Sequence, residues 1–156
     1  MFNNFFKNKS ILITGHTGFK GSWLTFWLDM LGARIYGISL QHSYLSKRIN
    51  KNNKITNFFF NLKDKKKLEN VVKKVKPDLI FHLAAQAIVA KSYKDPFETW
   101  TSNTIGMLNL METIRLIKKK CSVIIITSDK VYKNIEQRKG YKEKDVLQYL
   151  FKTFLK

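Results

Sequence analysis

The 156-residue chain is predicted to form an α/β fold, a doubly wound parallel sheet with helices on both faces. Two features predict it. Short β-branched apolar runs alternate along the chain with stretches whose apolar residues recur at helical spacing. A glycine-rich turn joins the first such run to the first such helix. The composition agrees: 44% hydrophobic and 13% aromatic residues suffice for a core, and a chain of this length buries one without disulfides.

Ser10–Thr14 is the first strand, apolar and ended by Gly15. Trp23, Leu24, Phe26, Trp27, Met30 and Leu31 mark a helix from Ser22 that Gly32 stops. Trp23 and Trp27, one helical turn apart, are expected in the core. Ala33–Leu40 reads as the second strand, residues 42–57 as a polar loop, and Phe58–Phe60 as a short buried strand. Leu68, Val71, Val72 and Val75 lie on one face of a helix over Leu62–Val75, which Pro77 ends. Leu79–Leu83 is a strand. A long helix within Ser92–Lys120 starts near Pro96, since proline suits a first turn. Val123–Thr127 is the last strand, and Lys142–Lys156 reads as an amphipathic helix or a ragged tail.

The net charge is +18, yet only four of the 29 basic residues are arginine. Nucleic-acid binders recruit arginine for bidentate contacts, so no nucleic-acid partner is expected and the lysine bias reads as composition. Salt-sensitive DNA binding would reverse that reading. No apolar run approaches the ~20 residues of a membrane helix, and no signal peptide is visible. With a lone Cys121, the expectation is a cytoplasmic protein with no membrane partner. His16 and His42 have no metal-ligand spacing, so no metal is expected.

Thr14-Gly15-His16-Thr17-Gly18-Phe19-Lys20-Gly21 spaces its glycines G-x-x-G-x-x-G between a strand and a helix. Gly15 would permit the tight turn, Gly18 the approach of a pyrophosphate, and Gly21 close helix packing. The phosphate would sit at the helix start near Phe19. The acidic residue that often holds the adenosine ribose is missing, for none lies between Asp29 and Asp64. Ser39 or Gln41 could replace it, and Lys47 or Arg48 could meet a 2′-phosphate, so NAD and NADP both stay open.

Three further stretches are Phe81-His82-Leu83-Ala84-Ala85-Gln86, followed by Ser92-Tyr93 and Asp95-Pro96; Glu98 to Gly106, containing Asn103; and Thr127-Ser128-Asp129-Lys130-Val131-Tyr132-Lys133-Asn134. Together with the glycine loop they resemble the CDP-glucose 4,6-dehydratase family, in the extended branch of the short-chain dehydrogenases/reductases. The resemblance runs from about residue 10 to about residue 145. It implies a Rossmann-like sheet, incomplete at the C-terminus, with residues 1–145 as the cofactor-binding domain and 146–156 as a divergent tail.

The resemblance further implies NAD as cofactor, with NADP open, and CDP-glucose as the sugar-nucleotide partner of a completed protein. The family's lyase reaction yields CDP-4-keto-6-deoxyglucose for deoxysugar, O-antigen and lipopolysaccharide synthesis, and its members usually form homodimers. It assigns the cofactor to Gly15, Thr17, Gly18, Phe19, Lys20, Gly21, Leu83, Ala84, Ala85 and Asn103. It assigns catalysis to Ser128 at the sugar O4, Asp129 as acid for the C6 hydroxyl, and Lys130 as base for C5. The alternative for Ser128 and Asp129 is a strand-end cap, and for Asn103 a packing residue. His82 reads as structural.

The superfamily's Tyr-x-x-x-Lys pair has no counterpart, because no tyrosine here has lysine four positions later. After Gly140-Tyr-Lys-Glu-Lys-Asp145 the sequence departs from the family. The expectation is a truncated or frameshifted product, inactive alone, with apolar surface near Val123–Thr127 partly uncovered. A non-catalytic nucleotide-binding module and a part of another sugar-nucleotide epimerase/dehydratase are the alternatives.

Overall fold

The computed structural model describes residues 2–49, 54–128, 131–136 and 138–147. It divides into two units, one ending at Ile126 and one beginning at Thr127. The first holds a parallel five-stranded sheet. Its strands are β1 (Ser10–Thr14), β2 (Arg34–Ser39), β3 (Ile55–Phe59), β4 (Leu79–His82) and β5 (Ser122–Ile125), in the order β3-β2-β1-β4-β5. Strand order reverses between β1 and β4. In a doubly wound sheet that reversal opens a crevice beyond the strands' carboxyl ends. The register places Thr14 beside His82 and Ile38 at that end.

Alternate residues of β1 feed two cores, one on each face. Leu12, with Ile38 and Ile80, packs with Leu68, Val71, Val72 and Val75 of α3 (Lys65–Val75). Ile11 and Ile13 pack with Leu28 of α1 (Phe19–Met30), Ile35 and Leu79. The four apolar positions expected on one helical face are thus the buried face of α3. That helix starts where the Asp64 carboxylate accepts from Lys67 N, and ends at Lys76 in the left-handed region.

The two tryptophans are not core. Trp23 is 51% and Trp27 44% exposed, while Gly21, Ser22, Thr25 and Leu28 make the buried face of α1. Small residues let this helix approach the sheet closely, which turns the aromatic residues outward. A Cβ on Gly21 would run into the Gly15 carbonyl oxygen. Phe2 meets Trp27 edge-on, with ring centroids 5.7 Å apart.

The polar stretch 42–57 is not all loop. It contains α2 (Tyr44–Ile49) and the first residues of β3. Ser43 and Ser46 exchange backbone-to-hydroxyl hydrogen bonds of 3.0 Å in both directions, a reciprocal cap that starts α2. β3 is an edge strand, so Phe58 is only half-buried and Phe59 exposed. The long helix begins at Pro96 as expected, capped by Asp95, but it has three parts: α5 (Pro96–Trp100), a π turn over Thr101–Ile105, and α6 (Gly106–Leu116). A short α4 (Val89–Lys94) precedes it.

Among the described residues β5 pairs only with β4, and Ile124 and Ile126 are each 44% exposed. Among the described residues, the apolar surface expected near this strand is thus partly uncovered. In the second unit, Tyr132 bridges Leu147 and stacks on Tyr141 at 5.2 Å. Asp129, Lys130 and the tail beyond residue 147 lie outside the described residues. No helix among those described is long and apolar enough to cross a membrane.

Candidate functional site

At the strand reversal the loop from β1 to α1 lies against the chain leaving β4. Gly15 has φ +76°, and a Cβ there would lie 2.8 Å from Ala84 N. Only glycine lets these two segments come so close. Their ends are locked together. Thr14 Oγ1 lies 2.7 Å from His82 Nδ1 and also accepts from Ala84 N, while Leu83 N donates to the Thr14 carbonyl. His82 is 4% exposed and serves this lock.

Gly18 caps α1 and makes no side-chain cap; its N–H donates back to the Gly15 carbonyl at 3.0 Å. Gly18, Phe19 and Lys20 are exposed. These exposed residues stand at the positive end of a 12-residue helix. Such a helix start can receive an anion, and Gly18 puts no side chain in the way.

Thr17 points the other way. Its hydroxyl donates to the Gln41 carbonyl at 2.8 Å, its N–H to the Ser39 hydroxyl, and its carbonyl accepts from Ser43 Oγ at 2.6 Å. His16, 2% exposed, reaches from the same loop across β2. Its Nε2 lies 2.7 Å from Asn57 Oδ1 and its Nδ1 2.9 Å from Ser39 Oγ. Because Oδ1 can only accept, Nε2 carries the proton and Nδ1 accepts from Ser39. A Cβ on Gly37 would penetrate the His16 ring, so this strand glycine exists to admit the imidazole.

Beyond β4, Asn103 in the π turn clamps Gln86 at both backbone groups. Its Oδ1 accepts from Gln86 N at 2.7 Å and its Nδ2 donates to Gln86 O at 3.1 Å. The Gln86 amide in turn bonds Ile88 and Thr99. These bonds fix the path of Leu83, Ala84 and Ala85, of which Ala85 is exposed toward solvent. A π turn that carries a functional side chain is a common device for aiming it.

The loop glycines, Thr17, Phe19, Lys20, Leu83, Ala84, Ala85 and Asn103 all belong to the first unit and gather along the carboxyl edge of its sheet. Ser128 belongs to the second unit. Sequence reasoning missed His16 as a strut and Gln86 as a loop staple. A glycine inside a β-branched strand, Gly37, was the available signal for the first.

Burial holds the imidazole of His16 below its ordinary 6.5 despite the bond to Asn57, and burial does the same to His82. The unfolded chain therefore takes up protons near pH 6.5 that the folded chain refuses until lower pH. The stability these rings contribute is complete above 6.5 and is lost as pH falls toward their folded values. Urea midpoints should decline from about pH 7.5 to 5.5. That is well above the window where the lowered carboxyls of Asp64, Asp78 and Glu98, ordinarily at 3.8 to 4.5, begin to titrate. His16→Gln should flatten part of that slope. An unchanged slope would mean that His16 titrates alike in both states.

The family described as GDP-mannose 4,6 dehydratase matches residues 12–149. CDP-glucose 4,6-dehydratase of Salmonella typhimurium is 39% identical over 145 residues, covering 91% of this chain and 40% of that protein. Among solved structures, an epimerase from Methanothermobacter thermautotrophicus superposes with a TM-score of 0.80 at 25% identity, over 92% of this chain and 42% of its own. A UDP-N-acetylglucosamine 4-epimerase from Methanobrevibacter ruminantium M1, in complex with UDP-N-acetylmuramic acid, gives 0.76 at 27% identity, over 91% and 44%. The chain thus spans well under half the length of these relatives.

Proposed function

Because the chain belongs to the GDP-mannose 4,6-dehydratase family, we propose that it forms the nicotinamide-dinucleotide-binding part of a sugar-nucleotide 4,6-dehydratase. CDP-glucose is the substrate that the Salmonella relative's name favours. The observation that carries the reading is the cradle. An exposed, uncapped helix start with a bare glycine stands at the strand reversal, held against β4 by Gly15 and Thr14. The residues present fit a pyrophosphate there, because the amides of Phe19, Lys20 and Gly21 supply donors and no acidic side chain lies in the loop.

A dinucleotide held there would supply hydride transfer to and from the sugar. The chain's own residues bind and orient. Gly18 gives room, the first turn of α1 holds the pyrophosphate, and Leu83, Ala84 and Ala85 border the dinucleotide. Asn103 keeps that border in place through Gln86. In the same proposal Ser128 hydrogen-bonds the sugar O4, Asp129 gives a proton to the departing C6 hydroxyl, and Lys130 takes the C5 proton. Homodimeric assembly and a cytoplasmic location complete the reading. The cradle holds NAD and NADP alike, since they differ only at the adenosine ribose.

Calorimetric titration of the 156-residue chain with NAD and NADP tests the assignment. One-to-one binding of either supports it, and the absence of heat with both rejects it.

A further inference from the structure

We propose that the edge of the sheet where the strands begin, opposite the glycine loop, docks on an anionic lipid membrane. The cations that open the strands meet lipid phosphates, and the aromatic N-terminal segment enters the headgroup layer. This surface is independent of the dinucleotide reading.

All five strands are parallel, so their amino ends lie along one edge. Each strand is entered through a cation. Taken across the sheet these are Lys54, Arg34, Lys9, Lys76 and Lys120. Backbone contacts tie the row together. Arg34 N donates to the Lys9 carbonyl at 2.9 Å, Asp78 N to the Ser10 carbonyl at 2.8 Å, and Lys119 Nζ to the Lys76 carbonyl at 2.8 Å. With neighbouring strands a little under 5 Å apart, the row is a positive band roughly 20 Å long. A helix dipole accounts for cations in a helix's last turn, such as Lys73 and Lys74 of α3, but not for residues that open strands. Little opposes the band. No Asp or Glu precedes Asp29 in the chain, and the Asp78 carboxylate is already held by Ser10 N at 2.8 Å and by Lys119 at 2.6 Å.

The same edge carries exposed apolar side chains. The N-terminal segment is tied to it, since Asn8 N donates to the Gly32 carbonyl at 2.8 Å. Phe2, Phe5 and Met30 line one hollow there and are 46%, 56% and 69% exposed. Lys9 Nζ lies 5.1 Å from the centre of the Phe5 ring, so cation and aromatic stand side by side. A basic patch or an apolar anchor alone holds a membrane weakly, whereas the two together attach firmly. A second copy docked here would set like charges against each other. A nucleic-acid duplex would satisfy the cations and leave the phenylalanines in water. An anionic lipid surface answers both. Such attachment needs no spanning helix, and it departs from the expectation of no membrane partner.

The test is flotation of the full 156-residue chain with lipid vesicles, because bound protein rises and aggregates do not. Phosphatidylcholine vesicles with about 30% phosphatidylglycerol should carry the chain, pure phosphatidylcholine should not, and the bound fraction should fall between roughly 50 and 500 mM salt. The triple variant Arg34→Gln, Lys54→Gln, Lys120→Gln should weaken vesicle affinity at least about 10-fold, and Phe5→Ser at least about 3-fold. Circular dichroism should not change, since these side chains are exposed. Lys66→Gln, Lys91→Gln, Lys94→Gln removes the same charge elsewhere on the surface and should keep the binding. Failure to float with anionic vesicles overturns the inference. So does an equal loss in both triple variants, which would reduce the binding to net charge. Duplex DNA bound more tightly than the anionic vesicles, with Phe5→Ser without effect on either, would assign the edge to nucleic acid and overturn it as well.

Discussion

Gly18→Val is expected to weaken dinucleotide binding by at least about 100-fold while the fold survives. Gly18 has φ −67° and ψ 172°, a conformation open to any residue. A Cβ there would meet only the Gly15 carbonyl oxygen, at 3.2 Å, and the position is exposed. Glycine is a fair helix cap and valine a poor one, so the folding cost is about 1 kcal/mol, or a few degrees in Tm. The larger loss falls on the ligand, whose phosphate would occupy the valine's space. Gly15 and Gly21 make the contrast. A side chain at either would collide with backbone of its own protein, namely Ala84 and Leu83, or Gly15 and His16. Variants there report on folding rather than binding. Unchanged affinity in a folded Gly18→Val protein would show that the cradle holds no pyrophosphate.

Purified 1–156 is expected to give no 4-keto-6-deoxy product from CDP-glucose with NAD or NADP added. None of its tyrosines is followed by lysine at the fourth position, and loss of a general base alone costs about 10²–10⁴-fold. The chain also spans only 40% of its Salmonella relative. Substrate contacts remote from the reacting bonds contribute to turnover as well as to affinity, so their loss lowers the rate further. Turnover near that of a full-length relative would show that Ser128, Asp129 and Lys130 suffice without the pair. Among the described residues β5 is an edge strand, and Ile124 on it and Ile126 just beyond it are each 44% exposed, so self-association of the purified chain is expected.

Strands β1 and β5 were legible because they are β-branched apolar runs, and α3 because its four buried residues share one face. What misled was hydrophobicity taken without its direction. Trp23 and Trp27 have core-like spacing, but α1 meets the sheet through Gly21, Ser22 and Thr25, whose small size carries no hydrophobic signal. α2 was hidden in a lysine- and asparagine-rich stretch, where the informative pattern was a serine pair three residues apart. The glycine loop was readable as a motif. The strut of His16 between Ser39 and Asn57 was not, because it joins three separate elements by hydrogen bonds that leave no periodic trace.

The most direct test of the account is the amide spectrum of ¹⁵N-labelled 1–156 titrated with NADP. Binding at the strand reversal predicts the largest shifts at Gly18, Phe19, Lys20 and Gly21, with a second group at Ala84 and Ala85. Shifts centred on other segments, with the loop amides unmoved, would contradict it.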